Sequence, residues 1–196
     1  MTKPLLTIKL SIVSLKQFKG PTDGPFIYDW RHMLTNDASS KELFKDVSSL
    51  IESLGLNLVE TSLNKVGLSN QMRVVLSKEH GEISTDDLEM AYNLIYPRYE
   101  VMLGDRDLTM EVTSPGMQRN FKDILEFKVF SGRDVRVYST VHSCYVVGRI
   151  DSADEGKVIL TDYLIEDKNE RGDSIELNYK DIAKAKLEYR WEGKNA

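Results

Sequence analysis

Residues 108–119 read Leu-Thr-Met-Glu-Val-Thr-Ser-Pro-Gly-Met-Gln-Arg and join two differently patterned halves of the chain. Leu108, Met110 and Val112 alternate with Thr109, Glu111 and Thr113, the period of a half-buried strand. Pro115 then fixes its own φ and lacks an N–H, while Gly116 tolerates φ > 0, so the pair suits the centre of a type II turn. The turn Ser114, Pro115, Gly116 therefore stops the strand and presents Arg119 just beyond it. Spacing alone is also compatible with ordinary loop punctuation.

Upstream of the corner, the pattern is mixed helix and strand. Ser39 with Glu42 reads as a capping box, followed by apolar Leu43, Phe44, Val47, Leu50, Ile51 and Leu54 on one helical face and a terminating Gly55. Six such side chains, at about 1.5–3 kcal/mol each when buried, outweigh surface ion pairs, so this helix is held by packing on a sheet. Residues 56–63 and 72–77 read as a hairpin around Gly67, with Met72, Val74 and Leu76 on one face. Ser84 caps a second helix with Asp86 and Asp87 in its first turn and Leu88, Ala91, Tyr92 and Ile95 facing inward; Pro97 marks its expected end. The order is α-β-β-α-β over residues 39–116. It is close to the KH layout, but the G-x-x-G clamp of KH modules is absent from both 81–84 and 102–106.

Downstream, residues 117–196 carry short strands spaced by turns: to Tyr138 from Val135, 145–150, 158–161, from Ile175 to Tyr179, and 182–187. Five short strands in about 60 residues argue for a small SH3-like or Sm-like β-barrel. Val146, Ile150 and Tyr138 are expected in its core, Cys144 as a buried thiol, and 166–173 as an exposed polar loop. The fold class is α+β. Residues 1–38, broken by Gly20-Pro21 and Gly24-Pro25, read as an extension without periodic pattern, and Met33 is a candidate translation start.

Composition excludes several functions. The net charge is −5; residues 1–40 hold 5 basic and 3 acidic groups, 41–120 hold 8 and 13, and 121–196 hold 13 and 15. Phosphate neutralisation dominates nucleic-acid affinity, so a chain of this sign must gather its cations on one face, and its acidic body suits a basic protein. One cysteine permits no internal disulfide. No apolar run reaches membrane-span length, and 5–15, interrupted by Lys9 and lacking a small-residue cleavage site, is not a secretory signal. His32, His80 and His142 are scattered, no phosphate-cradling loop or nucleophile elbow is present, and Ser114 lacks a neighbouring base; its hydroxyl is expected to bond the turn backbone. No catalytic residue, cofactor, metal or small-molecule substrate is assigned. The candidate binding residues are Arg119 and the C-terminal run Lys180, Lys184, Lys186, Arg190 and Lys194 with Tyr189 and Trp191 interleaved. The plainer reading of that run is a solvated strand edge and tail.

The corner resembles the hallmark of the ribosome maturation factor RimP family, Leu-Glu-Val-Ser-Ser-Pro-Gly-Leu-Asp-Arg-Pro-Leu. Glu111, Val112, Ser114, Pro115, Gly116 and Arg119 match it; Met117, Gln118 and Asn120 depart from it. The resemblance extends over about residues 40–187. It implies a first domain at 39–116, a barrel at 117–196, and a cytoplasmic, non-catalytic, monomeric factor. Such a factor assists maturation of the bacterial small (30S) ribosomal subunit, meeting 16S rRNA and a basic ribosomal protein near the decoding region. Gln118 removes an acidic partner for Arg119, and Asn120 removes a stiffening proline. A general RNA chaperone on an Sm-like barrel is the alternative, distinguished by ring formation.

Overall fold

The computed structural model describes residues 34–35, 37–38, 41–79, 81–104 and 107–189. The chain divides into two compact units at Pro115 and Gly116, with residues 34–35 grouped in the second. Residues 1–33, including Met33 and most of the expected extension, lie outside the described residues. No described helix is long and apolar enough to cross a membrane.

The first unit runs α1 (Glu42–Ile51), β1 (Leu56–Val66), β2 (Ser69–Lys78), α2 (Thr85–Met102) and β3 (Leu108–Thr113). β1 and β2 form an antiparallel hairpin, and β3 pairs with β2 in parallel, Asn70 opposite Leu108 and Val75 opposite Thr113. The crossover from β2 to β3 is α2, the usual solution for parallel neighbours. Phe44, Val47 and Ile51 of α1 and Ala91, Ile95 and Tyr99 of α2 are buried, as are Met72, Val74 and Leu76 of the sheet. Val75 is buried on the alternate phase of β2.

Two helix boundaries differ from the sequence reading. α1 starts at Glu42 with Lys41 at its N-cap and no side-chain cap, so Glu42 opens the helix instead of closing a box three residues in; Ser39 lies outside the described residues. α2 continues through Pro97 to Met102. The amide that Pro97 lacks would have bonded the Asn93 carbonyl, and both residues lie on the solvent side of the helix, where the lost bond costs least. Beyond the proline, Tyr99 donates its hydroxyl to Asp46 of α1 at 2.8 Å and Arg98 Nε donates to the same carboxylate at 3.1 Å. These bonds hold the last turns of α2 in place.

The second unit contains α3 (Leu125–Val129), β4 (Asp134–Ser139), β5 (Cys144–Ala153), β6 (Lys157–Ile165), β7 (Glu170–Asn178) and β8 (Ile182–Leu187). The strands pair antiparallel in the order β7-β6-β5-β4-β8. The register shifts twice between β5 and β6 and once between β4 and β8. Such bulges bend a sheet. At one of them a Cβ on Gly148 would stand 3.0 Å from the Leu160 Cβ and the Thr161 carbonyl, so the close approach of β6 requires glycine. Val135, Val137, Cys144, Val146, Ile150, Val158, Leu160, Ile165, Leu177 and Ile182 form the core, confirming the buried thiol.

Sequence reading missed α3. Asp123 Oδ1 accepts the Leu125 N–H at 2.9 Å at its start, and Phe127 and Phe130 pack with Phe121 and Tyr179 at centroid separations of 4.9–5.4 Å. The polar loop is also shorter than expected, because β7 begins at Glu170, although 166–171 are exposed as foreseen. The extension is not wholly an appendage. Thr35 N–H donates to the Lys122 carbonyl and Ile124 N–H to the Thr35 carbonyl, both at 2.8 Å, while Thr35 Oγ1 donates to Asp123 Oδ2 at 2.7 Å.

At α2 the capping reading holds: Ser84 Oγ accepts from Asp87 N–H and Asp87 accepts from Ser84 N–H. Lys78 Nζ stands 2.8 Å from Asp87 Oδ2. The Lys78 ammonium first, then Ser84, holds the Asp87 carboxyl at about 2, below its ordinary 3.8. A depressed carboxyl stabilises the fold above its unfolded pKa and loses that contribution as pH falls through the folded value. We expect the thermal midpoint to drop as pH falls from 3.8 toward about 2. The Asp87→Asn variant should start lower near neutral pH and lose that part of the slope. Parallel pH profiles for the two proteins would show that the Lys78–Asp87–Ser84 set contributes nothing.

Candidate nucleic-acid interface

The five-stranded sheet has an inner and an outer face, set by period-two alternation. Along β4, Val135, Val137 and Ser139 are buried, whereas Asp134, Arg136 and Tyr138 are half-buried on the opposite phase. Tyr138 therefore belongs to the outer face; its expected place in the core is corrected by this phase. Val146 and Ile150 are core, as expected.

On the outer face the Arg136 guanidinium lies 4.0 Å from the Tyr145 ring centroid, and the Tyr138 and Tyr145 rings meet edge to face at 5.1 Å. Pairing with β8 sets Lys186 opposite Arg136 and Lys184 opposite Tyr138. A bulge in β8 beside Ala183 keeps Ile182 and Ala185 buried while Lys184 remains exposed. Three cations and two tyrosines thus share one face. Glu166 binds Arg136, and Glu188 stands 3.7 Å from Lys186. The carboxylates moderate the positive field, and among the described residues Lys184 makes no ion pair. Cations interleaved with aromatic rings are the arrangement that meets phosphates and stacks bases.

The sequence-derived residues fall in different places. Lys184 and Lys186 join this face. Lys180 is exposed on the short helical turn Tyr179–Asp181 and lines an open pocket of about 420 Å³ with Leu34, Ile124, Glu155, Gly156, Asn178, Tyr179 and Ile182. Arg190, Lys194 and Trp191 lie outside the described residues. Ser114 is exposed and its carbonyl accepts from Thr113 Oγ1 at 3.3 Å; among the described residues the Ser114 hydroxyl makes no bond. Gly116 has φ 76°, as the turn requires. Arg136 and Tyr145 were missed, although the run Asp134-Val-Arg-Val-Tyr138 already placed Arg136 and Tyr138 in one phase. Among the described residues no three His, Cys, Asp or Glu side chains are set to hold a metal.

Arg119 does not fit the phosphate-contact expectation. Its side chain is 8% exposed and Glu126, its partner, 1%. Arg119 Nε donates to Glu126 Oε2, and Nη2 donates to Oε1 at 3.1 Å, a fork-to-fork pair. Lys122 N–H adds a bond to Oε1 at 2.8 Å. The backbone here runs beside β8: Leu187 N–H donates to the Arg119 carbonyl at 2.9 Å, and Phe121 N–H to the Ala185 carbonyl at 2.8 Å. Arg119 thus secures the segment after the corner to β8. Removing one member of a buried pair strands the other, at a cost of about 3–5 kcal/mol. We expect Arg119→Ala to lower stability by about that amount in chemical denaturation. A loss below about 1 kcal/mol, typical of an exposed pair, would refute the structural role.

Residues 47–118 match the family model of the RimP N-terminal domain. A protein of Borrelia turicatae (strain 91E135), named ribosome maturation factor RimP, is 26% identical over 149 residues, covering 76% of this chain and 95% of that protein. Its alignment, longer than the first unit, takes in both sides of the Pro115-Gly116 corner. The two comparisons therefore bear out the resemblance read at that corner: the chain is similar to the RimP family of ribosome maturation factors.

Proposed function

We propose that this chain is a non-catalytic, cytoplasmic ribosome maturation factor that binds the immature small (30S) subunit as a monomer and assists its assembly. The observation that carries the RNA-binding part is the outer face of β4, β5 and β8, where Arg136, Lys184 and Lys186 surround Tyr138 and Tyr145. On a chain of net charge −5, grouping cations on one face is what 16S rRNA contact demands. In this reading the second unit, 117–196, is the small SH3-like barrel of the family. Its bulged strands and the close approach at Gly148 are the bending that a barrel requires. The first unit, 39–116, supplies acidic surface for a basic ribosomal protein, and the turn Ser114, Pro115, Gly116 joins the two. Binding energy from both units favours one arrangement of RNA and protein on the unfinished particle. Arg119 has no place in the contact, being committed to Glu126.

Replacing both Lys184 and Lys186 by alanine should weaken co-sedimentation with purified small subunits. It should also reduce the salt slope of the affinity by about two, about one per lost phosphate contact. Tyr138→Ala should weaken binding with the slope retained, because stacking releases no counterions. If the double lysine variant binds with the parent's affinity and slope, the face is not the RNA contact. In a deletion strain, immature small subunits should accumulate; a normal gradient profile would remove the assembly reading itself.

A further inference from the structure

The outward side of α2 carries an apolar stripe that the first unit does not use. α2 covers the sheet with Ala91, Ile95 and Tyr99, which are buried together with the capping Asp87. On another side, Met90, Leu94 and Val101 are 48, 38 and 77% exposed, and Pro97, also exposed, stands between them. The spacing 90, 94, 97, 101 is four, three, four, the seam by which one helix receives another. At 100° per residue these four fall within a narrow strip about a quarter-turn from the buried side. Folding supplies no reason for an aliphatic strip there.

The charges beside the strip select its occupant. On the flank turned away from the sheet lie Asp86, Glu89 and Glu100, the last half-buried and bonded with Tyr96. The basic residue of α2, Arg98, lies on the opposite flank and is bound to Asp46. Residues 41–120 as a whole carry 8 basic and 13 acidic groups. A second copy of α2 would bring acidic flanks together, and RNA would meet carboxylates and aliphatic carbon.

We propose that the Met90–Leu94–Pro97–Val101 strip of α2 is a docking seam for a basic amphipathic α-helix of a protein partner. The partner's apolar residues fill the strip, its Lys and Arg side chains meet Asp86, Glu89 and Glu100, and Met90 adapts to its shape. The proposal stands apart from the RNA contact assigned to the second unit.

The test uses the full-length protein and a labelled helical peptide of about 18 residues, the length of α2. The peptide places Leu at the four-three-four spacing with Lys on the flanks, and a control carries Glu in place of Lys. In fluorescence anisotropy the Lys peptide should bind and the Glu peptide should not. Val101→Ser should weaken binding about tenfold with an unchanged circular dichroism spectrum. The pair Glu89→Lys and Glu100→Lys should weaken the Lys peptide and admit the Glu peptide. Equal binding of both peptides, insensitivity to Val101→Ser, or absence of binding would overturn the proposal. Self-association in the ultracentrifuge abolished by Val101→Ser would overturn it in favour of a second copy. Small-subunit binding dependent on Lys184 and Lys186 would survive any of these failures.

Discussion

One carboxylate organises the second unit. Glu126, almost fully buried, receives both arms of the Arg119 guanidinium and the backbone N–H of Lys122. A lone charge in that position is untenable, since desolvation costs several kcal/mol per ion. The three donors offset it only if residues 119–122 adopt one path. That path lays Arg119 and Phe121 along β8 and brings Phe121 against Phe127 and Phe130. The next residues, Lys122 to Ile124, then bind Thr35 from both backbone directions. The pair's contribution is therefore one of uniqueness more than of net stability: a hydrophobic replacement of both partners need not be less stable, but it would not fix the path of residues 119–122 beside β8. The pairing of β8 with β4 decides which of its lysines face outward.

The same arrangement sorts the basic residues into structural and available ones. Arg119 and Arg98 are spent on Glu126 and Asp46, and Lys78 on Asp87. Lys184 and Lys186 project from the outer face beside Arg136, which keeps its bond to Glu166. A count of Lys and Arg along the sequence cannot make this separation, because it depends on which carboxylate folding brings near. For an acidic chain the distinction matters: the positive field of this face comes from Arg136, Lys184 and Lys186, diminished by Glu166 and Glu188.

Where local patterning determined structure, it was legible. The alternation of Leu108 to Val112, the Ser84–Asp87 cap, the Gly67 hairpin and the burial of Val146, Ile150 and Cys144 all follow from periodicity or a single side chain's bonding. The helix that runs past Pro97 was not, because its continuation rests on Asp46, 51 residues earlier in the sequence than Pro97, holding Arg98 and Tyr99. Arg119 beside the corner looked available for the same reason: Gln118 removed the acidic partner expected next to it, and the actual partner is Glu126. The missed helix α3 had a local sign, Asp123 three residues before Glu126, which is the spacing of a cap. Tyr138 was misplaced despite a sufficient clue, since a tyrosine in phase with Arg136 and out of phase with Val135 and Val137 belongs outside.

The two units consequently offer opposite chemistry. The first exposes aliphatic residues, among them the α2 strip, and lines one flank of that strip with carboxylates. The second exposes cations and tyrosines on one sheet face. Raising salt should affect them differently in kind: phosphate contact releases condensed counterions and falls steeply with ionic strength. A helix seated on an aliphatic seam draws mainly on apolar burial and changes modestly over the same range. Under the proposed function this separation is an advantage, because neither surface competes for the other's ligand. The acidic unit repels the polyanion, and the basic face repels a cationic helix.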